Sequence, residues 1–376
     1  MRIALVTEYY YPHLGGVTEH VHNLALHFQR QGHPTLVITG RMESPARGHD
    51  LAADAADPPF VRRIGTSRTI FSAGSFARVT TGVRLRATLR DLFRRERIDL
   101  VHVHGGLNPT LGLLAPDAAS DLGLPVVATF HSWFARSALC RLFRRPLQAR
   151  LDRHAALVAV SQPVVDAHTR YFEGDWEIIP NGVDTGFFRT DACPGPAAGD
   201  PELLFLGRLD PRNGLDTVLT AMPRIVECLP GARLTVAGDG PLRPVYERLA
   251  RPLGGRVEFV GRVNGNRPQH YARADVYLCP TTKASFGITL LEAMACGTPL
   301  VVSDITGFRE LVGGGLEAVL VPKDHPSAWA STIVGLMADR RKLAAMGLAG
   351  RRKAERYAWP LIADRVMDVY RRVTAC

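Results

Sequence analysis

Short apolar runs alternate along this chain of 376 residues with longer segments in which apolar residues recur at helical spacing. Such runs are typical of buried strands, and the helical spacing is typical of helices with one buried face. In the first half the runs predict strands near residues 2–7, 35–39, 99–103, 125–130, 156–160 and 177–179. In the second half they predict strands near residues 202–206, 232–236, 256–260, 275–279, 300–302 and 318–321. Strands that alternate with helices indicate βαβ units and parallel sheets.

The stretch 191–200 is rich in Pro, Gly and Ala, a composition typical of a linker. We therefore predict an N-terminal domain over 1–190 and a C-terminal domain over 201–356, each long enough for its own core. Both are expected to be doubly wound, Rossmann-like α/β domains that face each other across a cleft. In such sheets, ligands bind beyond the carboxyl ends of the strands. A last helix is expected to begin at Trp359-Pro360, because Pro is favoured in the first turn, and to run to about Val373.

Composition narrows the class of protein. Hydrophobic residues make up 46% and charged residues 22%, which are ordinary globular values. No apolar run approaches the roughly 18 to 20 residues that span a bilayer, and the sequence opens on a core strand, so we expect a cytoplasmic protein. The six cysteines include no Cys-x-x-Cys pair, which predicts neither a zinc site nor a disulfide framework. We expect them to be reduced, with Cys279 and Cys296 in the core.

The net charge is +10, and only four of the 46 basic residues are Lys, so the abundance of Arg reflects composition in part. One run of arginines interleaves with apolar residues at helical spacing and predicts an amphipathic basic helix. It contains Arg84, Arg86, Arg90, Arg94, Arg95, Arg97, Leu85, Leu89, Leu92 and Phe93. Two interpretations stay open: a helix that lies on an anionic membrane surface, or one with a core face and a solvated Arg face.

A second basic run follows His131 and has the same two interpretations, with the membrane surface favoured more strongly because of that position. It contains Phe134, Arg136, Leu139, Arg141, Leu142, Phe143, Arg144, Arg145, Leu147, Arg150 and Arg153. We assign Arg141, Arg144 and Arg145 to acceptor or membrane contact. No nucleic-acid-binding motif accompanies the charge, so nucleic acid is not an expected partner.

The most informative segment reads ASFGITLLEAMACGTP, from Ala284 to Pro299. Gly287 lets the backbone approach a ligand closely, and the helix that starts at Ile288 offers free N–H groups and a positive dipole end to a diphosphate. Glu292 lies further along the helix, where a carboxylate can accept hydrogen bonds from a ribose diol. Phe286, Gly287, Ile288 and Glu292 are therefore candidate donor-binding residues.

This segment resembles the donor-binding signature of the family-4 retaining glycosyltransferases, which have two Rossmann-like domains in the GT-B arrangement. Other stretches match the same family in order along nearly the whole chain: Gly15-Gly16, Ala128-Thr129-Phe130-His131, Val160-Ser161, Pro180-Asn181-Gly182-Val183-Asp184, Leu206-Gly207-Arg208-Leu209, Gly238-Asp239-Gly240-Pro241 and Tyr357-x-Trp359. The resemblance implies sugar transfer from a nucleotide donor. It also implies that the last helix, over 357–376, crosses back to the N-terminal domain.

Further roles follow from chemistry and from the resemblance together. Gly15-Gly16 is expected to leave room for the transferred sugar. Arg208, after an apolar strand, can neutralise a diphosphate oxygen of the leaving group. His131 ends a strand and can hydrogen-bond a sugar hydroxyl, and the resemblance implies contact with the donor sugar. We name His131 and Arg208 as catalytic candidates and His20 as an acceptor candidate; His22, His102 and His104 are weaker candidates for the same cleft.

Two positions depart from the family pattern. Ala284 replaces the first Glu of a Glu-x7-Glu pair, and Asn213 stands where the family usually has Lys. Arg212 and Lys283 adjoin these positions and can supply the cationic charge, but no neighbour supplies the missing carboxylate. The candidate donor site is completed by Arg212, Asn213, Lys283, Gly238 and Val263. Val263 is expected to border the base pocket.

These departures leave two hypotheses. The first is a retaining glycosyltransferase, in which leaving phosphate and acceptor hydroxyl meet on one face of the sugar and no dedicated nucleophile is needed. The second is a nucleotide-sugar-binding protein of the same fold with little or no transfer activity.

The Gly-Gly-Val-x-x-His pattern at Gly15 and the Arg-rich second run resemble phosphatidylinositol mannosyltransferases, which implies a lipid-linked acceptor at a membrane surface. Soluble cell-envelope precursors are the alternative. No Asp-x-Asp motif ends a strand, so no cofactor or metal is expected.

Overall fold

A computed structural model describes residues 1–13, 15–42, 57–72, 75–189, 199–263 and 265–375. The predicted linker therefore lies almost wholly outside the described residues. Contacts divide the chain into two compact units. Unit 1 contains Met1–Asn181 together with Trp359–Cys376, and unit 2 contains Gly182–Ala358.

Unit 1 contains eight strands and seven helices within the described residues. The strands are β1 (Ile3–Thr7), β2 (Thr35–Met42), β3 (Val61–Ser72), β4 (Ser75–Thr81), β5 (Leu100–His104), β6 (Val126–Phe130), β7 (Ala156–Ala159) and β8 (Trp176–Ile178). The helices are α1 (Gly16–Arg30), α2 (Leu85–Arg95), α3 (Leu111–Ser120), α4 (Ala138–Leu142), α5 (Arg144–Leu151), α6 (Gln162–Thr169) and the last helix of the chain, α14 (Trp359–Thr374).

Unit 2 contains six strands and seven α-helices within the described residues. The strands are β9 (Glu202–Leu206), β10 (Arg233–Ala237), β11 (Val257–Gly261), β12 (Val276–Cys279), β13 (Leu300–Ser303) and β14 (Ala318–Val321). The helices are α7 (Leu215–Cys228), α8 (Arg243–Ala250), α9 (Arg267–Arg273), α10 (Ile288–Ala295), α11 (Thr306–Val312), α12 (Pro326–Met337) and α13 (Arg340–Glu355).

Each unit is built on one doubly wound sheet. The first sheet has the order β4-β3-β2-β1-β5-β6-β7-β8 and is parallel except for the β3–β4 pair. The second sheet has the order β11-β10-β9-β12-β13-β14 and is parallel throughout. In each sheet the chain winds outward in one direction and then returns to wind in the other. The switch points lie between β1 and β5 and between β9 and β12, where open α/β sheets bind ligands.

All twelve predicted strands are confirmed, but the sequence analysis did not predict β3 and β4. These two strands form an antiparallel hairpin whose register runs from Thr66–Thr81 to Ser72–Ser75. Their sequences, VRRIGTSRTIFS and SFARVTT, carry isolated apolar residues among Arg, Ser and Thr rather than an apolar run. An edge hairpin with partly solvated faces needs no continuous apolar run, so that signal was absent.

The apolar residues of the two basic runs differ in burial. Leu85, Leu89, Leu92 and Phe93 of α2 are buried in the core of unit 1. The apolar face of α2 is therefore covered by its own unit, which contradicts the membrane-surface interpretation of the first run. The second run forms α4 and α5, where Leu139, Leu142 and Phe143 are 64%, 75% and 48% exposed.

The last helix belongs to the core of unit 1. Trp359, Ile362, Val366 and Tyr370 of α14 are buried with residues of β1 and α1. The last helix of the chain therefore packs on the strands that flank the β1–β5 switch point and supports the residues there.

Candidate active site

Three histidines lie together at the switch point of unit 1. His20 lies near the start of α1, His104 is the last residue of β5, and His131 directly follows β6. Because β1, β5 and β6 are adjacent parallel strands, their carboxyl ends meet at one edge of the sheet. The sequence analysis named His131 and His20 as candidates and His104 as a weaker one. The structure brings all three together, with His104 as a direct partner of His131.

The three rings contact one another closely. His104 Nδ1 and His131 Nε2 are 3.1 Å apart in a hydrogen bond, and the two rings stack with centroids 5.4 Å apart. The ring of His20 meets His131 edge-on at 4.9 Å and His104 at 5.3 Å. The indole of Trp359 lies 5.3 Å from His20. The closing Tyr357-x-Trp359 motif thus ends in a residue that packs beneath this cluster.

Burial keeps these imidazoles uncharged. It lowers the pKa of His20 to about 4 and lowers the pKa of both His104 and His131 well below the ordinary value. His20 and His104 are almost fully buried, whereas His131 is only partly covered. A neutral, accessible imidazole both donates and accepts a hydrogen bond, so His131 is suited to bind a sugar hydroxyl and unsuited to carry a positive charge at neutral pH.

His102 has a structural role instead. Its Nδ1 is 2.5 Å from the Tyr370 hydroxyl, and its Nε2 is 2.7 Å from Thr129 Oγ1. Burial lowers the pKa of His102 to about 3. Both ring nitrogens are bonded within the core, so the weaker cleft assignment of His102 is not supported. His22 is likewise bonded, with Nδ1 2.8 Å from the Tyr10 hydroxyl.

Gly15 and Gly16 begin α1 next to the histidines, and both are exposed. Gly15 has an extended backbone, and a Cβ added there meets only His13 Nε2, at 3.9 Å. Neither local conformation nor packing therefore requires glycine at position 15. What the missing side chain leaves is open space at the start of α1, the helix that carries His20, and a ligand in contact with the backbone needs such space.

In unit 2, hydrogen bonds join the loop after β9 to the loop after β12 at the switch point. Arg208 follows β9 and its guanidinium is 3.9 Å from Asp210. The Asn213 side chain donates to the Arg208 carbonyl at 2.7 Å and accepts from Thr281 Oγ1 at 3.4 Å. Asn213 therefore uses its amide to join the loop after β9 to the loop after β12, a role that a Lys at this position cannot fill.

Two exposed cations border the same loops. The Arg212 carbonyl accepts from the Thr282 amide at 2.8 Å, which places the loop of Lys283 against that of Arg212. Val263 follows β11, partly exposed, and its neighbour Arg262 is 3.5 Å from Asp239. Arg208, Arg212 and Lys283 thus bring three positive charges to the carboxyl ends of the strands.

The start of α10 has the geometry expected of a close ligand approach. Gly287 precedes the helix with φ +157°, and a Cβ there is 3.0 Å from Leu290 Cδ1 and 3.2 Å from Phe308 Cε1. Phe286 is buried, and Ile288 begins the helix. The first amides of a helix have no partner within it, so this end of α10 can receive an anionic oxygen.

Glu292 is already engaged by its own unit. Its carboxylate accepts from Arg267 Nη1 at 2.7 Å and from the Tyr271 hydroxyl at 3.0 Å, and the residue is 2% exposed. Arg267 also lies over the ring of Phe188, with 5.3 Å to the centroid. The sequence analysis missed Arg267, because it begins α9 outside every recognised motif.

Gly238 and Gly240 let two backbone segments touch. Gly238 has φ +139°, and a Cβ there lies 1.9 Å from the Gly207 carbonyl oxygen. A Cβ on Gly240 lies 2.4 Å from the Leu209 carbonyl oxygen. These glycines are required by the packing of the loop after β10 against the loop that carries Arg208.

Gly238→Ala should therefore lower the free energy of unfolding by about 2–4 kcal/mol, from backbone strain together with the clash against Gly207. Urea unfolding followed by circular dichroism measures the change. Gly255→Ala is the matched control, because a Cβ at Gly255 meets nothing within 4 Å. Equal stability of the two variants would contradict the packing role of Gly238.

Comparison with known proteins agrees with this geometry. Residues 14–187 match the family model described as Glycosyltransferase Family 4, and residues 200–339 match the model described as Glycosyl transferases group 1. Together with relatives that are 31–32% identical over nearly the full chain, these matches show that the chain is a glycosyltransferase of family 4, with the GT-B fold.

The similar proteins cover the whole chain. The phosphatidyl-myo-inositol mannosyltransferase of Mycolicibacterium smegmatis is 31% identical over 379 residues, which span 100% of this chain and 94% of the relative. The enzyme of the same name from Mycobacterium tuberculosis is 32% identical, over 99% and 97% of the two chains. Among solved structures, HepE from Anabaena in complex with UDP has a TM-score of 0.76 at 20% identity, covering 98% and 99%.

The α4–α5 surface is defined by Leu139, Leu142, Phe143 and the exposed arginines Arg141, Arg144 and Arg145. Arg136, Arg141, Arg144 and Arg170 line, with Ala135 and Tyr171, an open cavity of about 590 Å³ beside it. Basic and apolar side chains thus share one exposed surface. Within the described ranges, no helix is both long and apolar enough to cross a bilayer.

The cysteines within the described residues, Cys140, Cys228, Cys279 and Cys296, are all unpaired. Cys279 and Cys296 are buried, which confirms the prediction that they are core residues. Cys193 and Cys376 lie outside the described residues.

Proposed function

We propose that this glycosyltransferase moves a hexose from a GDP- or UDP-linked donor to a lipid-linked acceptor, with retention of the anomeric configuration. The observation that carries the proposal is His131, which is neutral and partly exposed at the switch point of unit 1 and contacts His20 of the helix that follows Gly15. The full-length similarity to phosphatidyl-myo-inositol mannosyltransferases supports an acceptor of the phosphoinositide kind.

The donor is assigned to unit 2. Its diphosphate binds between the start of α10, at Gly287 and Ile288, and the guanidinium of Arg208, with Arg212 and Lys283 as further cations. Charge developing on the leaving phosphate is then stabilised by fixed positive groups, so transfer proceeds without a bound metal. Glu292 receives the ribose when Arg267 shares or yields the carboxylate, and Val263 borders the base.

The acceptor is assigned to unit 1 and to a membrane surface. The exposed leucines and Phe143 of the α4–α5 surface enter the headgroup region, and its arginines contact anionic lipid at about 1 kcal/mol each. The neighbouring arginine-lined cavity suits the phosphate of a lipid headgroup. The proposed site of action is thus the cytoplasmic face of the cell membrane, with peripheral contact.

The acceptor assignment is tested with donors labelled in the sugar, GDP-mannose and UDP-glucose, and vesicles with or without phosphatidylinositol. We expect label to appear in the organic phase after extraction, only with one donor and only with the phosphoinositide vesicles. Label that appears in soluble glycan instead would replace the lipid acceptor by a cell-envelope precursor.

The membrane contact makes a separate prediction. The protein should co-sediment with anionic vesicles at low salt, and Leu142→Glu should abolish this, because it replaces an inserted side chain by a charge that anionic lipid repels. Higher ionic strength should weaken binding of the unaltered chain. Leu348→Glu is the control, since Leu348 is 62% exposed but lies in unit 2. Equal co-sedimentation of both variants would remove the α4–α5 surface from membrane binding.

A second candidate function is nucleotide-sugar binding with little or no transfer. Three observations favour it: Ala284 lacks the carboxylate of the family pattern, Asn213 lacks the cation, and Glu292 is paired with Arg267. A charge-assisted hydrogen bond contributes about 1.5–3 kcal/mol, so losing two lowers the rate by several orders of magnitude unless neighbours compensate. Arg212 and Lys283 are positioned to compensate for the cation.

A further inference from the structure

The histidine cluster of unit 1 has more nitrogen atoms than hydrogen bonds. One ring nitrogen from each of His20, His104 and His131 lies within 4.8 Å of the other two. Both ring nitrogens of His20 and Nε2 of His104 are buried without a partner in hydrogen-bonding geometry. Asn181 is nevertheless close enough to His20 to engage one of its two ring nitrogens. Buried polar atoms normally find a partner, so the second His20 nitrogen is open to a ligand.

The chemistry of the set selects the kind of ligand. Three uncharged imidazoles offer lone pairs and no negative charge, which suits divalent zinc, copper, nickel or cobalt and does not suit magnesium or calcium. Three protein nitrogens with one open position are also a recurrent zinc arrangement.

The distances require only small ring movements. Zinc binds imidazole nitrogen at 2.0–2.1 Å, so neighbouring ligand nitrogens in a tetrahedral site lie about 3.4 Å apart. His104 Nδ1 and His131 Nε2 are already 3.1 Å apart, and the third nitrogen lies within 4.8 Å. The hydrogen bond between these two rings competes with the metal, so the site is weaker than a preformed structural zinc site. Partial exposure of His131 provides the entry path.

We propose that His20, His104 and His131 bind one divalent transition-metal ion, with zinc as the best-suited ion, and that the bound ion inhibits the protein. Metal coordination takes the His131 ring away from the sugar hydroxyl that it contacts in the proposed transfer reaction. The inhibitory consequence rests on the proposed function, whereas the binding site does not. The proposed role differs from that of a catalytic metal, because the proposed transfer reaction needs no metal.

The binding test uses the full chain after chelator treatment and removal of the chelator. Zinc and cobalt are titrated in competition with a chromophoric chelator, and cobalt is also followed by its visible absorption. We expect one ion per chain, a tetrahedral cobalt spectrum, and no effect of magnesium. His20→Gln and His104→Gln should each weaken zinc binding by at least about tenfold, since even the loss of a group that supports a ligand costs 10- to 100-fold.

His270→Gln, in α9 of unit 2, is the matched control and should bind zinc as the unaltered chain does. Unaltered zinc affinity in His20→Gln and His104→Gln would overturn the site. If either variant fails to fold, the cobalt spectrum of the unaltered chain decides: a spectrum without tetrahedral nitrogen ligation rejects the proposal. Where transfer is measured, zinc should inhibit it reversibly. A chain that binds zinc at this site but has no transfer activity would contradict the proposed function and leave the zinc site standing.

Discussion

Replacing His131 with alanine is expected to lower kcat for sugar transfer by at least about a hundredfold, the usual cost of removing one positioned hydrogen-bonding group from a transition state. The substitution removes the only cluster imidazole that is partly exposed and leaves His104 Nδ1 without its partner. KM for the donor should change much less, because the diphosphate and base are assigned to unit 2. Initial rates over a range of donor concentrations separate the two parameters.

His325→Gln serves as the control, because this exposed histidine precedes α12 in unit 2. His131→Gln should recover part of the activity, since an amide also donates and accepts hydrogen bonds. A rise in KM with unchanged kcat in His131→Ala would place the histidine in uniform substrate binding and contradict its catalytic assignment.

Acid should destabilise the folded protein well before its carboxylates titrate. Burial lowers the pKa of His20 to about 4 and of His102 to about 3, while the unfolded chain binds these protons below about pH 6.5. The unfolded state thus gains protons first as pH falls, so the free energy of unfolding decreases from pH 6.5 towards pH 4 and is unaffected by these groups above that range. Two such residues give a slope of about 3 kcal/mol per pH unit.

Urea unfolding at pH 7.5 and at pH 5.5 measures this effect. His104 and His131 should add to it in the same direction. His102→Gln should reduce the slope by about 1.4 kcal/mol per pH unit, because one titrating group is lost. A free energy of unfolding that is equal at the two pH values would show that these imidazoles are not held neutral by burial.

The fold was predictable because its strands are buried on both faces. Continuous apolar runs such as Leu300-Val301-Val302 identify parallel strands directly, and each predicted run became a strand. The β3–β4 hairpin was missed because its alternating Arg, Ser and Thr residues lie at an edge of the sheet. Local periodicity carries little information where only part of a strand is covered.

Local sequence also failed to separate the two arginine-rich runs. Both interleave Arg with Leu and Phe, but α2 buries its apolar residues while α4 and α5 expose theirs. The difference arises from what each helix packs against, since α2 lies against α3 and β3 of its own unit. Pattern alone predicts an amphipathic helix and does not identify what covers its apolar face.

The candidate site was predictable where a motif carries it. His131 and Arg208 follow strands and Gly287 precedes α10, as their motifs predict, whereas the partners of two key residues come from distant segments. Arg267 pairs with Glu292, and His104 bonds His131, across sequence separations that no local pattern encodes. Such groups come together only through the packing of whole elements, as α9 packs against α10 and β5 pairs with β6.

The most direct test of the account is turnover of a donor by the purified chain. GDP-mannose, UDP-glucose, UDP-galactose, UDP-N-acetylglucosamine and UDP-glucuronate are compared by thermal shift and by slow hydrolysis. We predict that one donor is hydrolysed and also raises the melting temperature. At a hundredfold excess over Kd, its binding adds about 2.7 kcal/mol to the free energy of unfolding. Stabilisation by a donor with no hydrolysis and no transfer to any acceptor would contradict the transferase assignment. We would then attribute the missing activity to Ala284 and Asn213.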